Sequence, residues 1–247
     1  MRSDHVISID GRNIPVLHNI KGSEKKIAIV SHGFLSSKES STGTMIAELM
    51  QKNGCAALLF DFPAHGQSAY PDSLRVEKCI DDLEACEKFV RAMAPNAEVC
   101  YFGSSFGAYI TLLYIAQRPH SGKKAVLRSA AVNMPQLWDK PTEEEEALIE
   151  KQGWYPYDEG FSEPIRIYRE FIDAMNKNDV YQCYKEGMAD IEMVHGICDD
   201  VVDISSARKF SQTYGVPLIE IADDGHRLST QEGLQAVCDA VKRLFLS

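Results

Sequence analysis

The sequence lacks an excess of basic residues and lacks any apolar run long enough to span a bilayer. It has 26 lysines and arginines against 36 aspartates and glutamates, which gives a formal net charge of −10. Such a charge repels nucleic acids and acidic membrane surfaces, and a membrane helix needs about 20 consecutive apolar residues. No signal-peptide pattern opens the chain. We therefore expect no nucleic-acid or membrane partner and a cytoplasmic location.

Closely spaced cysteine pairs are also missing. The chain has seven cysteines, and no two of them stand in the C-x-x-C spacing that is typical of zinc sites and dithiol redox motifs. An odd, scattered set also disfavours a disulfide framework. The sequence therefore predicts reduced, mostly buried thiols and no metal site.

The chain does contain a regular alternation of apolar, strand-length runs with segments of helical period. Its 247 residues are 45% apolar, which suits one large α/β domain over residues 1–247. Strand runs buried on both faces and separated by helices indicate a mostly parallel, doubly wound sheet. Two alternating runs around a glycine turn at residues 10–13 predict an N-terminal β-hairpin. The predicted later strands are 27–30, 56–60, 99–102, 125–127, 191–195 and 216–222, and the predicted helices are 41–53, 74–94, 106–118, 203–214 and 229–246.

Residues 134–188 interrupt this alternation. They hold nine of the 22 aromatic residues, which is a high density for a simple connection. We predict an inserted helical cap or lid, whose aromatic side chains select the substrate; the alternative is an ordinary two-helix excursion with its own small core. The nine aromatics are Trp138, Trp154, Tyr155, Tyr157, Phe161, Tyr168, Phe171, Tyr181 and Tyr184, of which Trp138, Trp154, Tyr155 and Tyr157 are the candidate substrate contacts.

Residues 103–107 read G-S-S-F-G, directly after a predicted strand and directly before a predicted helix. In a G-x-S-x-G turn the central serine projects its hydroxyl from a strained backbone, and the flanking glycines let neighbouring chain approach. Only Ser105 has both flanking glycines, so we predict that it is a nucleophile. The backbone N–H of Phe106, at the start of the helix, is a candidate donor to a developing oxyanion.

This strand, turn and helix resemble the α/β-hydrolase superfamily, whose fold the resemblance then implies for residues 26–133 and 190–246. In that superfamily the acid and the histidine follow the nucleophile in the chain. Three histidines follow Ser105. His120 ends the helix that Ser105 opens, and His195 lies in a strand, so His226, in the loop before the last helix, is the candidate base.

The resemblance also implies an acid after the strand that ends near residue 196. Residues 195–202 read H-G-I-C-D-D-V-V and are similar to an H-G-x-x-D-x-x-V pattern in which Asp199 is the acid, with Asp200 as the competitor. Residues 31–34 read S-H-G-F, which implies that the backbone N–H of Phe34 is the second oxyanion donor.

A serine, histidine and aspartate in these roles predict acyl transfer to water without a cofactor. The chain is similar to small bacterial carboxylesterases of the cinnamoyl and feruloyl esterase type, with prolyl-oligopeptidase-like and dienelactone-hydrolase-like relatives. We expect a small-molecule ester substrate, apolar or aromatic and of modest size. An amidase or peptidase, a thioesterase or acyltransferase, and a non-catalytic ligand-binding protein are the alternatives. Arg128 lies at the end of the predicted strand 125–127, where its side chain could bind a substrate carboxylate. An ion pair with one of the many surface acids is the favoured interpretation.

Overall fold

The computed structural model describes residues 1–68, 72, 74–138, 141–158 and 164–247. Phe161, one of the nine aromatics noted above, lies outside these ranges. The strands are β1 Arg2–Ile7, β2 Asn13–His18, β3 Lys26–Ser31, β4 Ala56–Phe60, β5 Glu98–Ser104, β6 Lys124–Arg128, β7 Trp154–Tyr157, β8 Ile165–Tyr168, β9 Asp190–Gly196 and β10 Leu218–Ile221. The helices are α1 Ser41–Lys52, α2 Val76–Met93, α3 Phe106–Gln117, α4 Met134–Leu137, α5 Glu143–Gln152, α6 Arg169–Lys177, α7 Val180–Cys183, α8 Ile204–Tyr214 and α9 Gln231–Phe245.

Eight of these strands form one sheet in the order β1-β2-β4-β3-β5-β6-β9-β10. Strands β1 and β2 pair antiparallel, as do β2 and β4, whereas the other neighbours are parallel. This confirms the predicted mostly parallel, doubly wound sheet with an N-terminal hairpin. The order reverses between β3 and β5, because β4 was added on one side of β3 and β5 on the other. Sites in open α/β sheets lie at the carboxyl ends of strands at such a switch point.

Both faces of the sheet are buried, which explains why the strands are continuously apolar. On one face the strand side chains pack with α2, α3 and α8, and on the other with α1 and α9. Alternate residues of β3 serve the two faces, Ile27 and Ile29 on the first and Ala28 and Val30 on the second. Helix α3 lies behind β5 and is apolar on all sides, as expected for a helix with no solvent-facing stripe.

The last helix begins later than its sequence suggests. Ser229 and Glu232 form the pattern of a capping box, but the N-cap of α9 is Thr230, whose hydroxyl accepts a hydrogen bond from the N–H of Gly233. The N–H of Ser229 donates instead to Asp224. Ser229 and Glu232 therefore do not cap α9, and the Asp224 carboxylate accepts from the N–H groups of Ser229 and Thr230 just before the helix.

Residues 134–188, which we call segment 134–188, cross the carboxyl side of the sheet between β6 and β9. The segment contains helices α4 to α7 and also an antiparallel pair, β7 with β8, that the purely helical prediction lacked. Tyr155, Ile167 and Phe171 are buried and belong to the same hydrophobic cluster as the α2–α3 face of the main sheet. The core of the segment is thus continuous with the core of the domain.

Candidate active site

Ser105 occupies a sharp turn between β5 and α3. Its backbone has φ 53° and ψ −115°, a conformation that costs energy for any residue with a side chain. A Cβ on Gly103 would come within 2.6 Å of Ala108 Cα, and one on Gly107 would collide with the carbonyl oxygens of Ser31 and His32. The flanking glycines are therefore needed for close backbone packing, and the turn directs the Ser105 side chain toward the cavity above the sheet.

A chain of hydrogen bonds joins Ser105, His226 and Asp199. His226 Nε2 lies 2.9 Å from Ser105 Oγ, and His226 Nδ1 lies 2.8 Å from Asp199 Oδ2. Because an ionised carboxylate can only accept, Nδ1 carries the proton and Nε2 is free to accept the proton of the serine hydroxyl. This is the arrangement of a nucleophile, a general base and an orienting acid.

The Asp199 carboxylate is held in its charged form. Burial raises its pKa, but hydrogen bonds from His195, His226 and the N–H of Val202 outweigh burial, so the pKa of Asp199 is well below its usual range. His195 Nε2 lies 3.0 Å from the same oxygen that meets His226. Asp200, the competing acid, is exposed to solvent. The structure thus brings Asp199, and not Asp200, to the histidine.

The loop that carries His226 is fixed at its backbone. The hydroxyl of Ser129, just beyond β6, donates to the carbonyl of His226 at 2.8 Å, and the Arg128 guanidinium donates to the carbonyl of Arg227. The Arg128 carbonyl in turn accepts from the N–H of Ser105 at 2.9 Å. Sequence reasoning missed Ser129, because a lone serine after a strand carries no distinguishing pattern.

Asp224 stabilises the same loop from the other side. Its carboxylate accepts hydrogen bonds from the N–H groups of Gly225, Ser229 and Thr230 and from the Thr230 hydroxyl. Burial raises its pKa, but these hydrogen bonds outweigh burial and lower it. Asp224 therefore holds the loop, while Asp199 contacts the histidine.

The two predicted oxyanion donors lie on loops beside Ser105. Phe106 is the first residue of α3, and a Cβ on Gly33 would lie 3.6 Å from Ser105 Cβ, which places the loop of Phe34 against the nucleophile. Within the part of the chain that the structure describes, neither N–H donates to a protein acceptor. Both are thus available to an anionic oxygen next to Ser105.

His32 fixes the conformation of the Phe34 loop. Its Nε2 accepts a hydrogen bond from the N–H of Phe62 at 3.1 Å, and its Nδ1 donates to the carbonyl of Gly33 at 2.7 Å. Burial lowers the pKa of His32, which agrees with a neutral ring in this bonding pattern. His32 therefore holds the Phe34 loop, with both of its ring nitrogens engaged by backbone groups.

A cavity of about 1290 Å³ opens above Ser105 and His226. Three of the four predicted aromatic contacts, Trp138, Tyr155 and Tyr157, line it, and Trp154 is not among the described lining residues. The ring of Trp154 packs instead under the guanidinium of Arg166, 4.6 Å from its centroid. Neighbouring residues of β7 point to opposite sides, so Tyr155 and Trp154 cannot both face the cavity.

The Phe34 side chain joins the nucleophile loop to segment 134–188, a role that the sequence did not indicate. Its ring centroid lies 5.4 Å from that of Trp138, 5.7 Å from that of Tyr157 and 5.4 Å from that of Phe106. These edge-to-face contacts are favourable aromatic geometry. Phe34 thus brings a backbone N–H, unbonded within the described part of the chain, to the loop beside Ser105. Its ring belongs to what we call the aromatic wall of the cavity, the side chains of Phe34, Trp138, Tyr155 and Tyr157.

The ranges 1–68, 72, 74–138, 141–158 and 164–247 contain no group of three or more His, Cys, Asp or Glu side chains that could hold a metal ion. In the same ranges no helix is both long enough and apolar enough to cross a membrane.

Known proteins share both sequence features and the overall fold with this chain. The family described as serine aminopeptidase, S33, has a sequence model that matches residues 22–156, more than half of the chain. No curated protein sequence matches the chain.

Solved structures match over nearly the full length. A candidate hydrolase from Agrobacterium vitis S4 has a TM-score of 0.83 at 20% identity, covering 99% of this chain and 98% of its own. Est1E from Butyrivibrio proteoclasticus with ferulic acid bound has a TM-score of 0.78 at 19% identity, covering 96% of each chain. Mouse alpha/beta hydrolase domain-containing protein 10 has a TM-score of 0.77 at 17% identity, covering 98% of each chain. At such identities the likeness shows the fold.

Proposed function

The chain belongs to the serine aminopeptidase S33 family and has the α/β-hydrolase fold, and from this premise we propose that it hydrolyses carboxylic esters through an acyl-enzyme on Ser105. The observation that carries the proposal is the continuous hydrogen-bonded chain from Ser105 Oγ through His226 to Asp199. The catalytic assignments of these three residues are part of the proposal.

In the first step Ser105 Oγ attacks the carbonyl carbon of the ester, and its proton passes to His226 Nε2. Asp199 stabilises the imidazolium that forms, because its charge lies 2.8 Å from the Nδ1 proton. The carbonyl oxygen becomes an oxyanion, which accepts hydrogen bonds from the backbone N–H groups of Phe34 and Phe106. In enzymes with an oxyanion hole, removal of one such donor lowers kcat by about 10²–10³-fold.

The tetrahedral intermediate then collapses, and His226 returns the proton to the leaving alcohol. His226 then removes a proton from a water molecule as this water attacks the acyl carbon. As the bond from the acyl carbon to Ser105 Oγ breaks and the acid leaves, His226 returns that proton to Ser105 Oγ. No step of this sequence requires a cofactor, since the protein supplies the base, the nucleophile and the oxyanion donors.

The aromatic wall favours a substrate that is a small ester with an apolar or aromatic group. Phe34, Trp138, Tyr155 and Tyr157 line one side of the cavity, and flat aromatic surfaces favour a planar, apolar ligand. Est1E, which shares the fold, binds ferulic acid, an aromatic acid. We further propose that segment 134–188 acts as a cap that selects this group, within a single domain.

An amidase or peptidase is the second candidate, because the family description is that of an aminopeptidase. A fluorophosphonate tests for a reactive serine, which both enzymes need, and a pair of substrates separates the esterase from the amidase or peptidase. A fluorophosphonate should label wild-type protein at Ser105, and 4-nitrophenyl esters should be turned over much faster than aminoacyl 4-nitroanilides. Faster anilide turnover would favour the peptidase, and absence of labelling would remove both enzymes in favour of a ligand-binding protein.

A further inference from the structure

The cavity above Ser105 reaches both faces of the sheet, and its two sides differ in chemistry. Side chains alternate along a strand, so Ser104 and Arg128 lie on the same face as Phe102 and Val126, the face covered by α1 and α9. The cavity on that face is lined by Ser104, Arg128, Ser41 and Thr42, a set that we call the α1 lobe. The aromatic wall formed by Phe34 and segment 134–188 lies on the opposite side.

Arg128 is the main charged group of the α1 lobe. Its side chain is only 7% exposed, and its guanidinium donates to Ser104 Oγ at 2.7 Å and to the backbone carbonyl of Arg227. Among the residues that the structure describes, no carboxylate oxygen lies within 4.0 Å of it. The ion pair with a surface acid that the sequence favoured is thus not found in that part of the chain.

This pattern is unusual for a buried cation. Burial lowers the pKa of Arg128 to about 10, so the group remains charged at neutral pH. A buried charge that has only neutral partners costs free energy, and a neutral amide could hold one hydroxyl and one carbonyl equally well. A guanidinium has five N–H donors, of which Arg128 uses two on partners in the described part of the chain.

The acids nearest to Arg128 are already engaged. The Asp224 carboxylate accepts hydrogen bonds from four donors of its own loop. The Asp199 carboxylate contacts the ring nitrogens of His195 and His226. They act on Arg128 only through longer-range attraction.

The start of α1 adds further donors to the lobe. The first turn of this helix has no acidic residue, and the N-cap Ser40 uses its hydroxyl on the N–H of Gly43. Within the described residues, the N–H groups of Ser41 and Thr42 make no hydrogen bond. Helix N-termini favour anions, so the donors of α1 and the charge of Arg128 act in the same direction.

We propose that the α1 lobe binds a carboxylate of the substrate, with Arg128 as its principal partner. The preferred esters then carry an aromatic or apolar group on one arm and a carboxylate on the other, with the scissile bond at Ser105 between them. This inference rests on the proposed function and narrows its substrate class. Arg128 acts in binding and does not touch the reacting atoms.

Matched ester pairs test the proposal. In the first pair the charge is on the acyl arm: mono-4-nitrophenyl glutarate is the charged ester and 4-nitrophenyl pentanoate the neutral one. In the second pair the charge is on the alcohol arm: 4-acetoxybenzoate is the charged ester and 4-methylphenyl acetate the neutral one. In at least one pair, we expect kcat/KM of the charged ester to exceed that of the neutral one by about tenfold or more, the range of a charge-assisted hydrogen bond. Equal or lower values for both charged esters overturn the proposal.

Two variants and a control locate the effect. Arg128→Met should remove the charged-over-neutral preference, and Ser41→Glu should lower it by placing a carboxylate in the lobe. Ser41 is exposed at the first position of α1, where an acid is compatible with the helix, so this variant decides the matter if Arg128→Met fails to fold. Arg208→Gln, at an exposed ion pair with Glu220, should keep the wild-type ratio. An unchanged ratio in Ser41→Glu contradicts the subsite.

The same experiments separate this proposal from the proposed function. Turnover of neutral esters without a preference for charged ones refutes only the subsite. If no ester is turned over, the subsite is tested by the unfolding midpoint in the presence of glutarate, because a ligand that binds only the folded state raises it. Wild type should gain stability with glutarate concentration and Arg128→Met should not; equal responses overturn the subsite.

Discussion

The loops of Ser105 and His226, at the sheet, and the aromatic wall, at segment 134–188, are held in place by different forces. On the sheet side, the loops of Ser105 and His226 are joined by hydrogen bonds to backbone atoms, such as those from Ser129 Oγ and the Ser105 N–H. On the side of segment 134–188, the wall consists of aromatic rings in contact, and the rings of Phe34, Trp138 and Tyr157 each touch the other two. Hydrogen bonds have strict geometry, whereas aromatic packing tolerates many arrangements. The sheet side is thus suited to fixing reacting atoms, and the aromatic side to accommodating a substrate.

Loss of the nucleophile should give the largest effect and tests the sheet side directly. We expect Ser105→Ala to lower kcat for 4-nitrophenyl butyrate by about 10⁴-fold or more, with an unchanged unfolding midpoint. Ser104→Ala, one residue earlier, should lower kcat by less than about tenfold. Similar losses in the two variants would contradict the assignment of Ser105.

Removal of the Asp199 charge comes next. Asp199→Asn should lower kcat by about 10³–10⁴-fold, because the amide no longer stabilises the imidazolium. Asp200→Asn is the matched control, since Asp200 is exposed and should retain activity. The assignment of the acid fails if the Asp200 variant is the more impaired of the two.

The stability difference between wild type and Asp199→Asn should depend on pH. The pKa of Asp199 is lower in the folded protein than in the unfolded chain, so its charge stabilises the fold above the unfolded pKa, and this contribution disappears as pH falls through the folded pKa. The difference in urea midpoint between wild type and Asp199→Asn should therefore shrink between about pH 5 and pH 3. A difference that grows over that range would refute the direction of the shift.

Truncation of a buried ring tests whether the two sides unfold together. Phe171, in α6, is fully buried in the cluster shared with the main sheet, and Phe171→Ala should lower the free energy of unfolding by about 3–5 kcal/mol in a single transition. Phe245→Ala, which truncates a fully buried ring on the inner face of α9, should behave alike. A separate early transition confined to Phe171→Ala would mean that segment 134–188 unfolds on its own.

A pair of tryptophans gives the smallest effect and the sharpest contrast within the segment. Trp138 lines the cavity, whereas Trp154 packs under Arg166. Trp138→Ala should raise KM for an aromatic ester such as 1-naphthyl acetate by about tenfold and change kcat little. Trp154→Ala should leave KM near the wild-type value. Equal KM shifts would show that the aromatic wall acts through the fold of the segment.

The sequence predicted those parts of the molecule whose local chemistry is restrictive. The positions of Gly103 and Gly107 are constrained by backbone approach, and the continuous strands by burial on both faces, so the core fold and Ser105 were readable from pattern. The pairing of Asp199 with His226 joins residues 27 positions apart and could be proposed only through resemblance to a known family.

The remaining features depend on packing that leaves no local pattern. The β7–β8 pair occupies a stretch whose aromatic residues fit either a helix or a strand. Trp154 differs from Tyr155 only in the face of β7 on which it lies, and the register of that strand is set by its partner β8. Ser129 and the ring of Phe34 act through contacts with distant segments, so composition alone could not identify them.

Two adjacent residues at the end of β6 have a mechanical consequence for the reaction. The Arg128 carbonyl anchors the nucleophile turn, and the Ser129 hydroxyl anchors the histidine loop. Because both loops hydrogen-bond to this one dipeptide, we expect a displacement of the dipeptide to move the two loops together and to leave the distance between Ser105 and His226 nearly unchanged. For protein engineering, this dipeptide is a unit to transplant intact together with the two loops that it connects.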